Sequence, residues 1–285
     1  MHPDDVIASE ADVRRLLRAQ FPSWADLVLE RVEHSGTDHT IFRLGTDLSV
    51  RLPRIDWSAP QPARDHLWLP LLAPHLPVPI STPVALGKPG EGYRYEWSVH
   101  RWLPGSNPER SSPALAKDLA AFTTALQGVD TTGGWPSFRG GPLLPRDEQV
   151  RANVTDLGAL VDRVRVLAAW ERALAAPQWG GPPVWVHGDL TEGNILVDGA
   201  RLAGVIDFGP LGVGDPAIDL QPAWAILDGA DREVFRVQSG CDDATWERGR
   251  GWALSVALSA WPYYRRTNPG IVARSRRMID AVLST

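Results

Sequence analysis

Cysteine is almost missing from this chain: Cys241 is the only one in 285 residues. A lone cysteine excludes an intramolecular disulfide and fits a reducing compartment, so a cytoplasmic protein is expected. Lysine is nearly as rare. Lys88 and Lys117 are the only two, and arginine supplies the rest of the 29 basic residues. Set against 34 acidic side chains, they leave a net charge of −5. There is no basic stripe of the kind a nucleic-acid partner requires. A mildly acidic chain suits a cationic small molecule, and it equally suits plain solubility. No apolar run reaches membrane length. The longest, Trp252 to Tyr264, contains two serines and reads as a buried helix. The opening MHPDDVIASEADV has neither a basic n-region nor an apolar h-region, so no signal peptide is expected. Repeats and low-complexity tracts are absent, and nothing implies a protein partner. At 44% hydrophobic and 22% charged residues the composition is that of a soluble globular protein. The length suits one large domain or two joined lobes.

The informative residues are concentrated between Val184 and Leu220, VWVHGDLTEGNILVDGARLAGVIDFGPLGVGDPAIDL. A short apolar strand, Val184–Val186, leads into His187-Gly188-Asp189. Asn194 follows five residues after Asp189. A small hairpin of two strands, Ile195–Val197 and Leu202–Ile206, ends at Asp207-Phe208-Gly209. Either aspartate alone reads as a loop-end carboxylate that caps a helix or pairs with an arginine. Together, in this order and spacing, they are the parts that phosphoryl transfer from ATP needs. One carboxylate, Asp189, accepts or orients the proton of an attacking hydroxyl. The amide oxygen of Asn194 and the carboxylate of Asp207 supply hard oxygen ligands for magnesium.

His187-Gly188-Asp189, and the later run Gly212-x-Gly214-Asp215-Pro216-Ala217-x-Asp219-Leu220, resemble the aminoglycoside phosphotransferase and choline kinase branch of the kinase-like fold. The resemblance implies an α+β, bilobal protein-kinase-like fold with an antiparallel-sheet N-lobe and a mainly helical C-lobe. Residues 1–103 are then the nucleotide-binding lobe, and 104–285 the catalytic and acceptor-binding lobe. It also implies that His187 and Asp219 support the catalytic loop rather than react. Asp215 could cap the helix beginning at Pro216.

The N-terminal half fits this expectation with departures. Ser9 to Asp12 form a capping box before an amphipathic helix. Strands are predicted at Leu27–Glu33, Thr40–Leu44 and Leu48–Leu52. The loop between the first two offers Ser35, Gly36 and Thr37 to the nucleotide phosphates, with one glycine instead of a Gly-rich motif. The resemblance expects a lysine on the third strand, and neither lysine stands there. Arg51 does, in Ser49-Val50-Arg51-Leu52, and arginine can grip phosphate oxygens bidentately. A helix predicted over Gln61–Leu76, with Leu67, Leu71 and Leu72 as its apolar positions, carries Asp65 where a glutamate partner for that cation is expected. Val84–Leu86 and Arg94–Val99 read as a hairpin. His100 to Gly105 resembles the hinge, where the backbone of Arg101 and Leu103 would meet the nucleobase. Trp102 is either a nucleotide neighbour or a packing residue.

In the second half, Ser112-Pro113 starts a helix with Leu115, Leu119, Phe122 and Leu126 on its buried face. Gly133 to Pro145 is a long Gly/Pro/Trp loop. One helix is predicted through Leu157, Leu160, Val161, Val164, Leu167 and Leu174. Further helices are predicted at Ala217–Leu227, Asp231–Gln238 and Thr245–Trp261, the last stopped by Pro262. A final helix runs from an Asn268 cap to Leu283.

The expected activity is that of an ATP- and magnesium-dependent O-phosphotransferase, with GTP as the alternative nucleotide. The resemblance points to an aminoglycoside-type antibiotic as acceptor. Glu192, Asp228 and Asp231 are candidate partners for its amines, and Trp224, Tyr263 and Tyr264 are pocket walls or core. The alternatives are another acceptor (a macrolide, a cyclic peptide antibiotic, an endogenous sugar or amino alcohol), a catalytically silent nucleotide-binding module, and a metal-dependent hydrolase using the two aspartates.

Overall fold

A computed structural model describes residues 5–32 and 38–284. The expected phosphate-loop residues Ser35, Gly36 and Thr37 lie outside the described residues. The fold is α+β and divides into two compact units, Met1–Pro104 with Gly204–Gly209, and Gly105–Ala203 with Pro210–Thr285.

In the first unit, helix α1 (Glu10–Gln20) begins with the predicted capping box, in which the Ser9 hydroxyl accepts from the Asp12 N–H. The strands β1 (Leu29–Arg31), β2 (His39–Leu44) and β3 (Leu48–Pro53) are followed by α2 (Gln61–Leu72), β4 (Pro83–Gly87) and β5 (Trp97–Arg101). They form one antiparallel sheet in the order β1-β2-β3-β5-β4. Period-two alternation sorts the faces. Val50, Leu52, Trp97 and Val99 join Leu16, Leu17 and Phe42 in the core. The register sets Ser49 against His100 and Arg51 against Ser98, so the opposite face carries a polar stripe. The segment Gly204–Gly209 is tied in through the Ser81 N–H to the Val205 carbonyl and the Val205 N–H to that of Pro79.

Helix α2 corrects the predicted face. Leu67 and Leu71 are exposed, and the buried positions are Pro62, Asp65, Leu69 and Leu72. That 3-4-3 spacing is helical and includes the expected Leu72, but its stripe also holds a carboxylate, which apolar periodicity does not count. The helix also stops at Leu72, where a 3-10 turn, Ala73–His75, takes over.

The second unit contains α3 (Pro113–Gln127), α4 (Asp147–Leu157), α5 (Arg163–Ala175), β6 (Val184–Val186), β7 (Ile195–Asp198), β8 (Arg201–Val205), β9 (Gly212–Gly214), α6 (Pro222–Ala225), α7 (Gly229–Ser239), α8 (Asp243–Tyr264) and α9 (Pro269–Leu283). β8 pairs with β7 and runs on into the Gly204–Gly209 segment. The single helix predicted across Leu157–Leu174 is two. Gly158 breaks it at φ 54. Leu160 and Val164 are exposed, and α5 buries Val166, Ala169, Trp170 and Ala173 instead. Pro262 does not end α8, which continues to Tyr264; a proline near a helix C-terminus removes one donor without breaking the following turn. The predicted Ala217–Leu227 helix is a 3-10 turn, Pro216–Leu220, followed by the short α6. No helix among the described residues is long and apolar enough to cross a membrane.

The loop between α3 and α4 is sewn to β9. The Val213 N–H donates to the Trp135 carbonyl, the Ser137 N–H to that of Val213, and the Asp215 N–H to that of Gly140. This contact accounts for Gly212-x-Gly214. A Cβ on Gly214 would lie 2.3 Å from the Gly140 carbonyl oxygen, and one on Gly212 would lie 2.6 Å from the Ser137 nitrogen. Both clashes are with backbone, which cannot swing aside. Gly214→Ala is therefore expected to destabilise the protein by about 1–3 kcal/mol, read as a lower midpoint in urea denaturation. An unchanged midpoint would show that the loop is not seated on β9.

Candidate functional site

The segment from His187 to Asn194 is shaped by one buried carboxylate. Asp219 accepts the backbone N–H of His187 at 2.7 Å and of Gly188 at 2.8 Å. Those donors sit just past the end of β6, where no strand partner is left for them. Gly188 stands at φ 81, and a Cβ there would lie 2.8 Å from that of Pro210, so only glycine makes this turn. Burial pushes Asp219 up to about 7; the two N–H bonds pull it down, and the Asp189 charge pushes it further up. His187 is fully buried, and its Nδ1 accepts the Asp189 N–H at 3.2 Å. In the neutral ring the proton is then on Nε2.

This turn brings Asp189 and Asn194 together. The Asn194 Nδ2 donates to the Asp189 backbone carbonyl at 2.9 Å and to its Oδ2 at 3.1 Å. Oδ1 is held by a residue the sequence did not single out. Arg139 Nη1 donates to it at 2.6 Å, and to the Gly188 carbonyl at 3.1 Å. The signal was weak: Arg139 stands within the long Gly/Pro/Trp loop, and only the β9 contacts show that this loop is braced. Asp215 caps the following 3-10 turn through the Ala217 N–H and makes a two-pronged ion pair with Arg248, at 2.6 and 3.1 Å.

The carboxylates expected to meet ammonium groups are placed as follows. Glu192 is gripped by Arg277 at 2.7 and 2.9 Å. Asp231 accepts the Ser111 hydroxyl at 2.5 Å, and Asp228 is exposed at the start of α7. Trp224 is buried against Trp246, and Tyr263 is half exposed, edge-on to Tyr264.

In the first unit, Arg51 is buried at 6% exposure. Its ion pair corrects the prediction: the partner at bonding distance is Asp207, at 2.9 Å. Asp65 is buried in the same cluster and makes no ion pair with Arg51 among the described residues. The aspartate side chain, a methylene shorter than the expected glutamate, leaves the contact to Asp207. Asp207 has φ 63, a left-handed conformation uncommon outside glycine that accompanies functional turns. Two histidines complete the polar stripe. His100 is fully buried, held between the Ser98 hydroxyl and the Ser81 carbonyl, each at 2.9 Å. Burial, then the Arg51 charge, pushes both His39 and His100 well below the ordinary imidazole range, so both are neutral. Period-two reading of β5 could have found Ser98 and His100 opposite Ser49 and Arg51.

Of the hinge residues, Arg101 is exposed, and its N–H is taken by the Thr82 carbonyl. Trp102 packs under Arg43, 5.1 Å from the ring centroid. The Leu103 N–H makes no hydrogen bond among the described residues.

Each expected magnesium ligand, taken by itself, offers a hard oxygen donor. With Nδ2 turned to Asp189, the Asn194 Oδ1 is left as a hard donor. The Asp207 carboxylate is 40% exposed. Among the described residues no cluster of three or more His, Cys, Asp or Glu makes a protein-only cage; magnesium on a nucleotide needs few protein ligands.

Residues 28–252 match the sequence profile of the phosphotransferase enzyme family. Among solved structures, the chain is similar to the GDP and kanamycin complex of APH(2″)-IIIa, with TM-score 0.76 and 18% identity, over 96% of this chain and 99% of that one. It is similar to the macrolide 2′-phosphotransferase MphH from Brachybacterium faecium, with TM-score 0.64 and 24% identity, over 96% and 98%. It is also similar to the gentamicin complex of APH(2″)-IIa, with TM-score 0.64 and 18% identity, over 98% of both chains. No curated protein sequence matches.

Asp65 generates a pH prediction. Burial pushes its carboxyl up to about 7, with the Arg51 charge pulling down and that of Asp207 pushing up. An unfolded aspartate titrates near 3.9. Between those two values the folded chain holds a proton that the unfolded chain has lost. The contribution to stability is therefore present below about pH 4 and is lost as pH rises to about 7. Asp65→Asn should flatten the fall in stability across that window, measured by denaturant unfolding at several pH values. An identical pH slope in the variant would show that Asp65 does not carry the proton.

Proposed function

The chain belongs to the phosphotransferase enzyme family and is a small-molecule phosphotransferase; from that premise we propose that it transfers the γ-phosphate of ATP to a hydroxyl of a small molecule, with magnesium as cofactor and GTP as the alternative donor. The acceptor oxygen bonds to the γ-phosphorus, the bond to the β–γ bridging oxygen breaks, and ADP leaves with the electron pair. The hydroxyl proton passes to Asp189. The observation that carries this reading is the state of Asp189. Both its oxygens are held by donors of its own unit, yet its side chain keeps 27% exposure. A carboxylate fixed in direction and open on one side suits the orienting of a hydroxyl.

Arg51 contributes a permanent positive charge for the phosphates, with Asp65 buried beside it. The neutral His39 and His100 add no competing charge. Leu103 offers its free backbone N–H, and Arg101 its neighbouring backbone, to the nucleobase. Ser35, Gly36 and Thr37 are the proposed phosphate loop. Asn194 and Asp207 are the proposed magnesium ligands; the bound ion shields the phosphate charge. An aminoglycoside-type antibiotic is the first acceptor to assay, because kanamycin and gentamicin are bound in the structural neighbours. A macrolide is second, on the likeness to a macrolide phosphotransferase.

Two variants test the roles. Asp189→Asn should keep nucleotide binding and lose transfer by about 10²–10⁴-fold, the usual worth of a positioned base. Near wild-type turnover would remove Asp189 from the chemistry. Asp207→Ala should abolish the magnesium-dependent part of nucleotide affinity in calorimetric titration. Unchanged magnesium dependence would reassign Asp207-Phe208-Gly209 to a structural turn.

A further inference from the structure

We propose that Arg139 is the acceptor-selecting residue: it holds Asp189 and turns away acceptors with an ammonium group beside the reacting hydroxyl, in favour of neutral or carboxylate-bearing polyols. The inference rests on the phosphotransferase reading of Asp189 and narrows its acceptor. It restricts an aminoglycoside to hydroxyls distant from its amines.

Arg139 is built into the protein. Its loop is fixed to β9 by the three backbone hydrogen bonds that Gly212 and Gly214 make possible. The Arg139 N–H donates to the Ser137 hydroxyl oxygen at 3.2 Å, and that hydroxyl donates to the Pro210 carbonyl at 2.8 Å. The guanidinium is thus delivered to Asp189 from a braced segment. The pair is partly withdrawn from water, with Arg139 at 23% exposure and Asp189 at 27%, so the charges are less screened than at a free surface.

A second arginine adds to the positive side. Arg146 donates its Nε to the Ser255 hydroxyl oxygen at 2.6 Å and lies 5.1 Å from the centroid of the Trp252 ring. Among the described residues it makes no ion pair. Burial lowers its proton affinity, and the charge of Arg139 lowers it further, so the two cations act on one another. Of the other carboxylates between Val184 and Leu220, Glu192 pairs with Arg277, Asp207 with Arg51 and Asp215 with Arg248, Asp219 takes two backbone N–H groups, and Asp198 is exposed at the end of β7. The Asp189 carboxylate is thus already paired with one guanidinium, and a second guanidinium acts on the first. An ammonium on the acceptor would have to displace Arg139 or be repelled by it. A carboxylate would be attracted.

The test uses three probes with the same three-carbon diol scaffold: glycerate, glycerol and 3-amino-1,2-propanediol, which are anionic, neutral and cationic. Phosphoester formation from ATP is measured for wild type, Arg139→Gln, which keeps a donor without charge, and Arg139→Lys, which keeps the charge. Wild type should favour glycerate over the amine by roughly tenfold in kcat/KM, the worth of one charge-assisted hydrogen bond, with glycerol between. Arg139→Gln should erase the order and Arg139→Lys should keep it. A wild-type preference for the amine, no preference, or an order unchanged in Arg139→Gln would overturn the proposal. Glycerate binding, followed by ligand-observed NMR, decides the case of turnover too slow to rank. Binding lost in Arg139→Gln supports the proposal, and no binding to wild type, or binding that survives the change, defeats it. ATP hydrolysis with water as acceptor is measured alongside. ATP turned over to inorganic phosphate alone, with no phosphoester on any probe or on a panel of polyhydroxylated antibiotics, counts against the phosphotransferase reading itself.

Discussion

A buried carboxylate receiving two backbone N–H groups sets the segment from His187 to Asn194. Without Asp219, the His187 and Gly188 amides would be buried without partners, a cost of about 1–3 kcal/mol each. With it, the chain leaving β6 makes a turn that only glycine can occupy, and Asp189 and Asn194 are brought into hydrogen-bond contact. The same carboxylate sits near the Asp189 charge, which helps burial raise its proton affinity. Its ionised form is held by the two N–H donors, so the turn and the charge state of Asp219 depend on each other.

The rest of the second unit extends this arrangement. Gly212 and Gly214 permit a close backbone approach, that approach braces the Arg139 loop, and Arg139 fixes one oxygen of Asp189. Asn194 fixes the other. In the first unit the same logic uses a sheet face. Alternation along β3 and β5 buries Ser49, Arg51, Ser98 and His100 on one side, and burial, with the charge of Arg51 added to it, keeps the neighbouring imidazoles neutral. A lysine at position 51 could lose its proton in so buried a setting; an arginine cannot. This gives a physical reason for the departure from the expected residue.

Much of this was legible in the sequence, because its strongest signals are local. Alternation predicted β2 and β3 to within a residue, caps at Ser9, Ser112 and Asn268 predicted three helix starts, and the resemblance carried by the residues from His187 to Leu220 pointed to the phosphotransferase family. What was missed depends on contacts between distant residues. The α2 face was misjudged because Asp65 occupies a buried position that apolar periodicity does not count. The α4–α5 break was overlooked because Gly158 lies in a run that otherwise alternates like one helix. Arg51 was assigned to Asp65 by analogy with a longer glutamate, and the shorter side chain leaves that contact to Asp207. Arg139 was invisible, since nothing local to a Gly/Pro/Trp loop says that it is braced on β9. The exposed Leu67 and Leu71 show the same limit: pattern identifies which residues are apolar, while packing decides which are covered.

The central claim is that a fixed, half-open carboxylate at Asp189 serves the transfer of a phosphoryl group to a small-molecule hydroxyl. The most direct measurement is phosphorus NMR of the protein with ATP, magnesium and a mixture of polyhydroxylated antibiotics and simple polyols. The account predicts a new phosphomonoester resonance, coupled to a carbon-bound proton of one acceptor, growing in step with ADP. ATP consumed only to inorganic phosphate, with no phosphoester on any acceptor in the mixture, would contradict it.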